Sequence, residues 1–227
     1  MGTIPQIKDI IYHCDIWETP TFIDNIGCNK IDFTPIIANP ILYAKAKTTD
    51  YMFFGSMGFY KKFLMSDKLK NILEKYSENR FQFFECPIFH KNIEYTNYYI
   101  INPYKIDMEF IDYGNSKYRY KKRDAEGNRN LTEISFKNFH EFKEFLKILN
   151  PMDEFTIKNI ALISSLEEHF FALENVEGGR GYFVSENLKN EIEVAGCSGI
   201  EFQPIELSFH EWSVSGGERD RVYGKSW

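Results

Sequence analysis

The residues best placed for metal chemistry in this chain lie in one segment, His140-Glu141-Phe142-Lys143-Glu144. A zinc-protease helix carries two histidine ligands at positions i and i+4, with a glutamate base beside the first. Here Glu144 takes the position of the second histidine, and Phe139 and Phe142 commit part of the same helix to a core. We therefore expect a solvated polar helix face, and we predict no metal site and no cofactor.

Proton-transfer chemistry has a separate candidate at Glu167-Glu168-His169, because carboxylates beside an imidazole can act as acid and base. A charged approach to a strand explains these residues equally well. The glycines of residues 178–181 would cradle a phosphate only if they opened a helix, but they precede the strand-like run Tyr182–Val184 and indicate a turn. We find no P-loop, nucleophile-elbow or dinucleotide motif, and we predict that the protein is not an enzyme.

Composition favours an aromatic-rich core and argues against a nucleic-acid partner. Of 227 residues, 17% are aromatic and 21 are Phe, and such side chains carry large buried areas. The net charge of −6 lacks the basic excess of nucleic-acid binders and suits a basic partner. The cysteines show neither paired nor zinc-ligand spacing, which predicts free, mostly buried thiols in a reducing compartment. They are Cys14, Cys28, Cys86 and Cys197.

The expected location is the cytoplasm. The chain starts MGTIPQIKDIIYHCDI, which has no signal-peptide pattern, and it contains no run of 18 apolar residues. We therefore expect no membrane partner.

Strand-like runs dominate the first half of the chain. Residues 1–50 are interrupted by prolines and predict only short strands, at Ile10–Tyr12 and Ile41–Tyr43. The Tyr- and Ile-rich residues 97–122 predict two or three more. Their positions are Tyr98–Ile101, Ile106–Tyr113 and Tyr118–Tyr120. The polar segment 121–130 predicts an exposed loop.

One long amphipathic helix is predicted over residues 135–149, where apolar side chains recur at helical spacing and Asn150-Pro151 ends the pattern. Its apolar stripe consists of Phe136, Phe139, Phe142, Leu146 and Leu149. Two further strands are predicted after it, at Ile157–Ile163 and His169–Leu173.

Residues 63–88 and 182–207 repeat one order at an offset of 119 positions. Each has an apolar run, a serine suited to cap a helix, an amphipathic helix and an alternating strand-like run. The identities pair Ser66 with Ser185, Leu69-Lys70-Asn71 with Leu188-Lys189-Asn190, Glu74 with Glu193, and Phe83 with Phe202. They favour a duplicated strand–helix–strand unit, with two unrelated capped helices as the alternative. The predicted fold is α+β, with mixed or antiparallel sheets and a few amphipathic helices.

The repeats and two further motifs resemble a family of bacterial polymorphic-toxin immunity proteins typified by a Myxococcus protein. The motifs are Tyr98-Tyr99-Ile100-Ile101-Asn102-Pro103 and Gly199-Ile200-Glu201-Phe202-Gln203-Pro204. The likeness covers residues 50–207. It implies a cytoplasmic protein that binds and neutralises a toxin delivered by a neighbouring cell, and it assigns no catalytic residues.

We therefore predict an immunity protein that occludes the active site of a cognate toxin, encoded by a neighbouring gene. An irregular segment 1–50 would pack on an immunity-like domain at 51–207, and a tail would follow at 208–227. The predicted partner-binding residues are Asp124, Glu126, Arg129, Trp212, Glu218, Asp220 and Tyr223. One alternative is an enzyme that uses His140, Glu144, Glu168 or His169 in a cleft. Another is a small-molecule or carbohydrate-binding module built on the Tyr-rich strands 98–120.

Overall fold

A computed structural model describes residues 6–124 and 126–224. Residues 1–5, 125 and 225–227, which belong to the predicted N-terminal segment, polar loop and tail, lie outside the described residues. The strands are β1 (Ile7–Ile11), β2 (Asn39–Leu42), β3 (Tyr51–Met52), β4 (Leu64–Ser66), β5 (Phe81–Glu85), β6 (Ile88–His90), β7 (Ile93–Tyr95), β8 (Tyr98–Pro103), β9 (Lys117–Arg123), β10 (Arg129–Thr132), β11 (Glu154–Asn159), β12 (Phe170–Val176) and β13 (Gly179–Val184). The helices are α1 (Asp67–Leu73), α2 (Phe139–Ile148), α3 (Glu186–Val194), α4 (Phe209–Ser213) and α5 (Glu218–Tyr223).

The described strands form three sheets, and the α+β prediction is confirmed. One sheet has the order β1-β2-β6-β7 and contains a parallel pair, β2 and β6. A second has the order β3-β4-β8-β5 and is antiparallel throughout. The third, β10-β9-β11-β12-β13, is mixed because β11 and β12 run parallel.

The chain divides into two compact units. The first comprises residues up to Ile106, together with His169–Phe171 and Val184–Glu201. The second comprises Asp107–Glu168, Ala172–Phe183 and the residues from Phe202 onward. The chain therefore passes between the units several times, and residues far apart in sequence share a core.

The core of the first unit is built largely by residues from loops and short strands. Phe22, Ile23 and Phe59 are completely buried, and they belong to one cluster with strand residues. The strand members of the cluster are Leu42, Met52, Leu64, Ile88, Tyr98 and Ile100. Residues before position 50 thus supply part of this core. Cys86 is also fully buried here, which raises the pKa of its thiol, whereas the other three cysteines are only half-buried.

The two predicted helix caps are present with the same geometry. Ser66 accepts a hydrogen bond from the N–H of Leu69 at 3.3 Å, and Ser185 accepts one from Leu188 at 3.2 Å. Both serines have extended backbone, with φ/ψ of −68°/163° and −69°/162°. Because each serine satisfies an otherwise unpaired donor of the first turn, α1 and α3 begin where the sequence predicts.

The two repeat helices meet in the first unit through a shared carboxylate. Glu191 of α3 accepts hydrogen bonds from Lys75 and from the hydroxyl of Tyr76, the latter at 2.8 Å. The hydrogen bond to the Glu191 carboxylate raises the pKa of Tyr76. Lys75 and Tyr76 lie in the 3-10 turn Glu74–Tyr76 that follows α1. This contact holds the end of one repeat helix against the middle of the other.

The segment after α3 is held to the first unit by Asp50. Its carboxylate accepts hydrogen bonds from the Ser66 hydroxyl at 2.7 Å, and from the Ser198 N–H and hydroxyl, both at 2.8 Å. Lys68 lies 3.1 Å from the same carboxylate. Burial by itself would raise the pKa of Asp50, but the hydrogen bonds from Ser66 and Ser198 outweigh it and hold this pKa below its ordinary value.

We expect Asp50→Asn to lower the free energy of unfolding at neutral pH by about 1–3 kcal/mol, because an amide NH₂ replaces one of two acceptor oxygens. A carboxyl with a lowered folded-state pKa stabilises the fold above its unfolded pKa, and loses this effect as pH falls through the folded value. Urea unfolding at neutral pH and at about pH 3 should therefore show the difference between variant and parent shrinking in acid. Asp32→Asn, an exposed control in the same unit, should change stability little at either pH.

An aromatic cluster forms the core of the second unit, as the composition predicts. Phe142 of α2 is fully buried, and its ring centroid lies 5.4 Å from that of Phe136 and 5.8 Å from that of Phe155. Tyr113 completes this side of the cluster, at 5.0 Å from Phe142. Helix α2 begins later than predicted, since Asn138 caps it by accepting from the N–H of Glu141 at 3.0 Å.

Two predicted strands are corrected. Ile106–Tyr113 contains a 3-10 turn, Met108–Phe110, in which the N–H of Phe110 donates to the carbonyl of Asp107 at 2.9 Å and the N–H of Ile111 donates to that of Met108 at 3.4 Å. Residues 201–204 have no regular secondary structure. The chain leaves the first unit after Glu201, and Pro204 has no N–H to donate to a ladder. The two segments therefore share a strand and a capped helix, and the second strand is present only in the first segment.

Candidate partner-binding surface

Strand β9 places aromatic and basic side chains on opposite faces of its sheet. Its sequence is KYRYKKR, and successive side chains of a strand point in opposite directions. Tyr118 packs on Phe136 with ring centroids 4.8 Å apart, and Tyr120 packs on Phe145 of α2 at 5.3 Å. The aromatic face is therefore the one that meets α2. Burial raises the pKa of Tyr118 to about 12.

The opposite face gathers three cations around one carboxylate. Glu154 of β11 lies 3.6 Å from the Arg119 guanidinium, 3.5 Å from the Lys121 ammonium and 3.4 Å from the Arg129 guanidinium. One negative charge facing three positive charges leaves a local surplus of two. The side chains of Arg119 and Arg129 are 47% and 57% exposed, so this surplus faces solvent. We call Arg119, Lys121, Arg129 and Glu154 the cationic face.

Leu131 adds an apolar group to the same face. It lies opposite Lys121 in the antiparallel pairing of β10 with β9, and directly opposed residues point to the same side of a sheet. Its side chain is 72% exposed. An exposed leucine among cations suits a contact with a partner that offers both carboxylates and an apolar surface.

Asp153 fixes the end of β9 to the start of β11. Its carboxylate accepts from the backbone N–H of Arg123 at 2.8 Å and from the Tyr120 hydroxyl at 2.7 Å. These two hydrogen bonds hold the pKa of Asp153 below its ordinary value, and the bond to Asp153 raises that of Tyr120. The strands that carry Arg119, Lys121 and Glu154 are thus tied together, which limits the entropy lost when a partner binds.

The prediction of a loop over residues 121–130 is wrong for most of the segment, because both of its ends are strands. Lys121–Arg123 belong to β9 and Arg129–Asn130 to β10, and the two strands pair antiparallel. Only the connection between them turns. There Asp124 accepts from the N–H of Asn128 at 2.7 Å and from the side-chain amide of Asn130 at 3.0 Å. The segment looked like a loop because its side chains are polar and the edge strand is exposed along its whole length.

The seven predicted partner-binding residues lie in two places in the second unit. Asp124 and Glu126 lie in the hairpin turn, and Arg129 lies on the cationic face. Asp124 serves the turn through its own hydrogen bonds. Arg119, Lys121, Leu131 and Glu154 were missed, although the alternation of Tyr with Lys and Arg in KYRYKKR is the signal that would have found the first two.

The C-terminal group is largely structural. Trp212 is only 4% exposed and packs edge-to-face on Tyr223, so its ring offers no free surface to a partner. The Tyr223 hydroxyl accepts from the N–H of Phe202 at 2.8 Å. Asp220 accepts from the N–H of Gly216 at 2.8 Å, and Glu218 pairs with Arg221 at 3.2 Å. The tail predicted at 208–227 therefore contains two short helices, α4 and α5, which are tied to the second unit.

His169, one of the residues proposed for catalysis, has a structural partner. The imidazole Nδ1 of His169 lies 2.7 Å from the Ser185 hydroxyl, a Ser–His contact that resembles a catalytic pair. The equivalent serine of the first repeat, Ser66, makes the same kind of side-chain contact with Asp50 at 2.7 Å. A cap that engages a neighbouring side chain is thus a feature of both repeats, which favours a structural role.

Helix α2 shows the solvated polar face that the sequence predicts. His140 is exposed, and Glu144 pairs with Lys147 at 2.7 Å, which lowers the pKa of that carboxyl. Within residues 6–124 and 126–224, no three His, Cys, Asp or Glu side chains are grouped so that they could hold a metal ion.

Two tyrosines of the Tyr-rich residues 98–120 offer little surface to a small ligand. Tyr98 and Tyr113 are 5% and 3% exposed and belong to the cores of their units. Burial raises the pKa of Tyr98 to about 12, while its hydroxyl donates to the carbonyl of Thr49 at 3.1 Å. An open depression of ≈ 480 Å³ does lie in the first unit, lined by Pro35, Phe83, Phe84 and Pro87 among others.

A scan against protein-family models finds no match for this chain, and a search of curated protein sequences finds none either. In the part of the chain that the structure describes, none of the helices has the length and apolar character that crossing a membrane requires.

Proposed function

We propose that this protein is a cytoplasmic immunity protein that binds a cognate bacterial toxin and occludes its active site. The cationic face of the second unit carries the proposal, because it combines surplus positive charge with an exposed leucine on one face of a sheet. The net charge of −6 by itself suits a basic partner, but the positive charge concentrated on this one face suits an acidic partner. The resemblance of residues 50–207 to polymorphic-toxin immunity proteins indicates that this partner is a toxin.

The tight binding that occlusion requires follows from the physics of such a contact. Charge complementarity accelerates encounter and fixes orientation, while a partly apolar centre excludes water and slows dissociation. Here Arg119 and Arg129 would meet carboxylates of the toxin, and Leu131 would enter an apolar part of its surface. The proposal therefore places the toxin's contact surface among acidic residues.

The test is co-expression of the full chain with the toxin domain encoded beside it, followed by growth measurement and purification of the complex. We expect the parent to restore growth and to form a stoichiometric complex. Arg129→Glu should weaken that complex by about tenfold or more, since it reverses an exposed charge on the contact surface. Rescue without any complex would contradict occlusion and favour an enzyme that removes the toxin's product.

Lys137→Glu is the matched control for Arg129→Glu. Both substitutions make the net charge more negative by two, and Lys137 is an exposed residue of the same unit. Lys137 precedes α2, on the aromatic side of the sheet. If the two variants weaken the complex equally, the loss comes from overall charge and the cationic face is not the contact. Thermal melts of both variants verify that each remains folded.

A further inference from the structure

We propose that the edge strand β10 binds an extended, acidic segment of the partner as an additional strand of the five-stranded sheet. This inference rests on the proposed function and names the chemistry by which the same surface would hold the toxin. It adds backbone hydrogen bonds between β10 and the partner, whereas the proposed function requires only complementary charge and an apolar contact.

The position of β10 supplies the first part of the reasoning. It is the outermost strand of the order β10-β9-β11-β12-β13, so among the strands of residues 6–124 and 126–224 none lies on its other side in this sheet. All four of its residues, Arg129 to Thr132, are exposed. Alternate N–H and C=O groups of an edge strand point away from its neighbour, and an added strand would pair with them.

The charge of β10 and its neighbours selects the occupant. A second copy of this chain would present the same β10, which has Arg129 and no carboxylate, so that strand has no negative charge to pair with these cations. A segment with carboxylates at alternate positions would instead direct them to the face that holds Arg119, Lys121 and Arg129. Its remaining apolar or small side chains would lie on the other face of the sheet.

The ends of β10 set the length of that segment. Asp124 and Glu126 precede the strand, and Glu133 follows it directly. A long polyanion such as a nucleic acid would run into these carboxylates at both ends. A short acidic strand fits between them, because β10 has four residues, which span about 14 Å at ~3.4 Å each.

The experiment titrates the isotopically labelled full chain with an acetylated, amidated peptide of alternating glutamate and valine. Two further versions carry N-methyl groups, one on all glutamates and the other on all valines. In an added strand, the N–H groups of alternate residues point to the same side, so either the glutamates or the valines donate to β10, but not both. We expect one N-methylated peptide to bind about tenfold or more weakly than the parent peptide, and the other to bind like the parent. Amide hydrogen exchange should slow at alternate residues of β10.

Equal affinities for all three peptides would overturn the proposal, because they would show that charge attraction by itself accounts for binding. So would unchanged exchange at β10, no binding of the parent peptide, or its displacement by an equal concentration of single-stranded DNA. The outcome is separable from that of the co-expression test. Suppose that Arg129→Glu weakens the toxin complex but that the three peptides bind equally. The proposed function would then stand, and only strand addition would be rejected.

Discussion

Phe142→Ala is expected to lower the free energy of unfolding of the second unit by about 3–5 kcal/mol, the range for emptying a buried phenylalanine site. Phe142 is fully buried, and three rings surround it within 6 Å: Tyr113 at 5.0 Å, Phe136 at 5.4 Å and Phe155 at 5.8 Å. These three rings come from three different parts of the chain. They have little freedom to collapse into the cavity that the substitution leaves.

Urea unfolding followed by near-ultraviolet circular dichroism measures this effect, because the ordered rings of the cluster produce the signal. Ile148→Ala is the control on the same helix, since Ile148 is 82% exposed and its truncation removes little buried surface. Its effect should stay within about 0.5 kcal/mol. Similar losses for both variants would show that Phe142 does not occupy the centre of this core.

Gly199→Ala should destabilise the first unit by about 2–5 kcal/mol. The glycine has φ +84°, a region that costs an L-residue about 1–2 kcal/mol. A Cβ at this position would also lie 2.6 Å from the carbonyl oxygen of Tyr51 and 2.7 Å from Cβ of Thr49. Backbone must therefore move, and such overpacking typically adds about 1–3 kcal/mol.

Gly196→Ala separates the two contributions. Gly196 has a similar φ of +64°, but a Cβ there would meet nothing within 4 Å. Its substitution should therefore lower the free energy of unfolding by only about 1–2 kcal/mol. Equal losses at the two positions, measured by thermal or urea unfolding, would mean that the close approach of Gly199 to Tyr51 is not a constraint on the fold.

The amino-acid sequence was sufficient for features that depend on near neighbours in the chain. Ser66 and Ser185 cap their helices because the cap and its N–H donor are three residues apart. The stripe that includes Phe142 predicts a helix for the same local reason, since residues at helical spacing share one face. The α+β class follows from the mixture of such segments with alternating ones.

The candidate surface was only partly predictable. The polar residues 121–130 were expected to be exposed, and Arg129 was among the expected contacts. Their strand conformation was not predictable from composition, because β9 is held by ladders to β10 on one side and β11 on the other. Those ladders, and the contact of Tyr118 and Tyr120 with the aromatic cluster, turn a basic run into one ordered face.

The tertiary structure alone decided which distant residues meet. Asp50 and Ser198 are 148 positions apart, yet their hydrogen bonds place Gly199 against Tyr51. Glu154 has no local feature that marks it as the carboxylate shared by Arg119, Lys121 and Arg129. Local sequence sets propensities and caps over a few residues, whereas these contacts depend on how whole segments pack, and their loop-closure entropy is offset only by the assembled core.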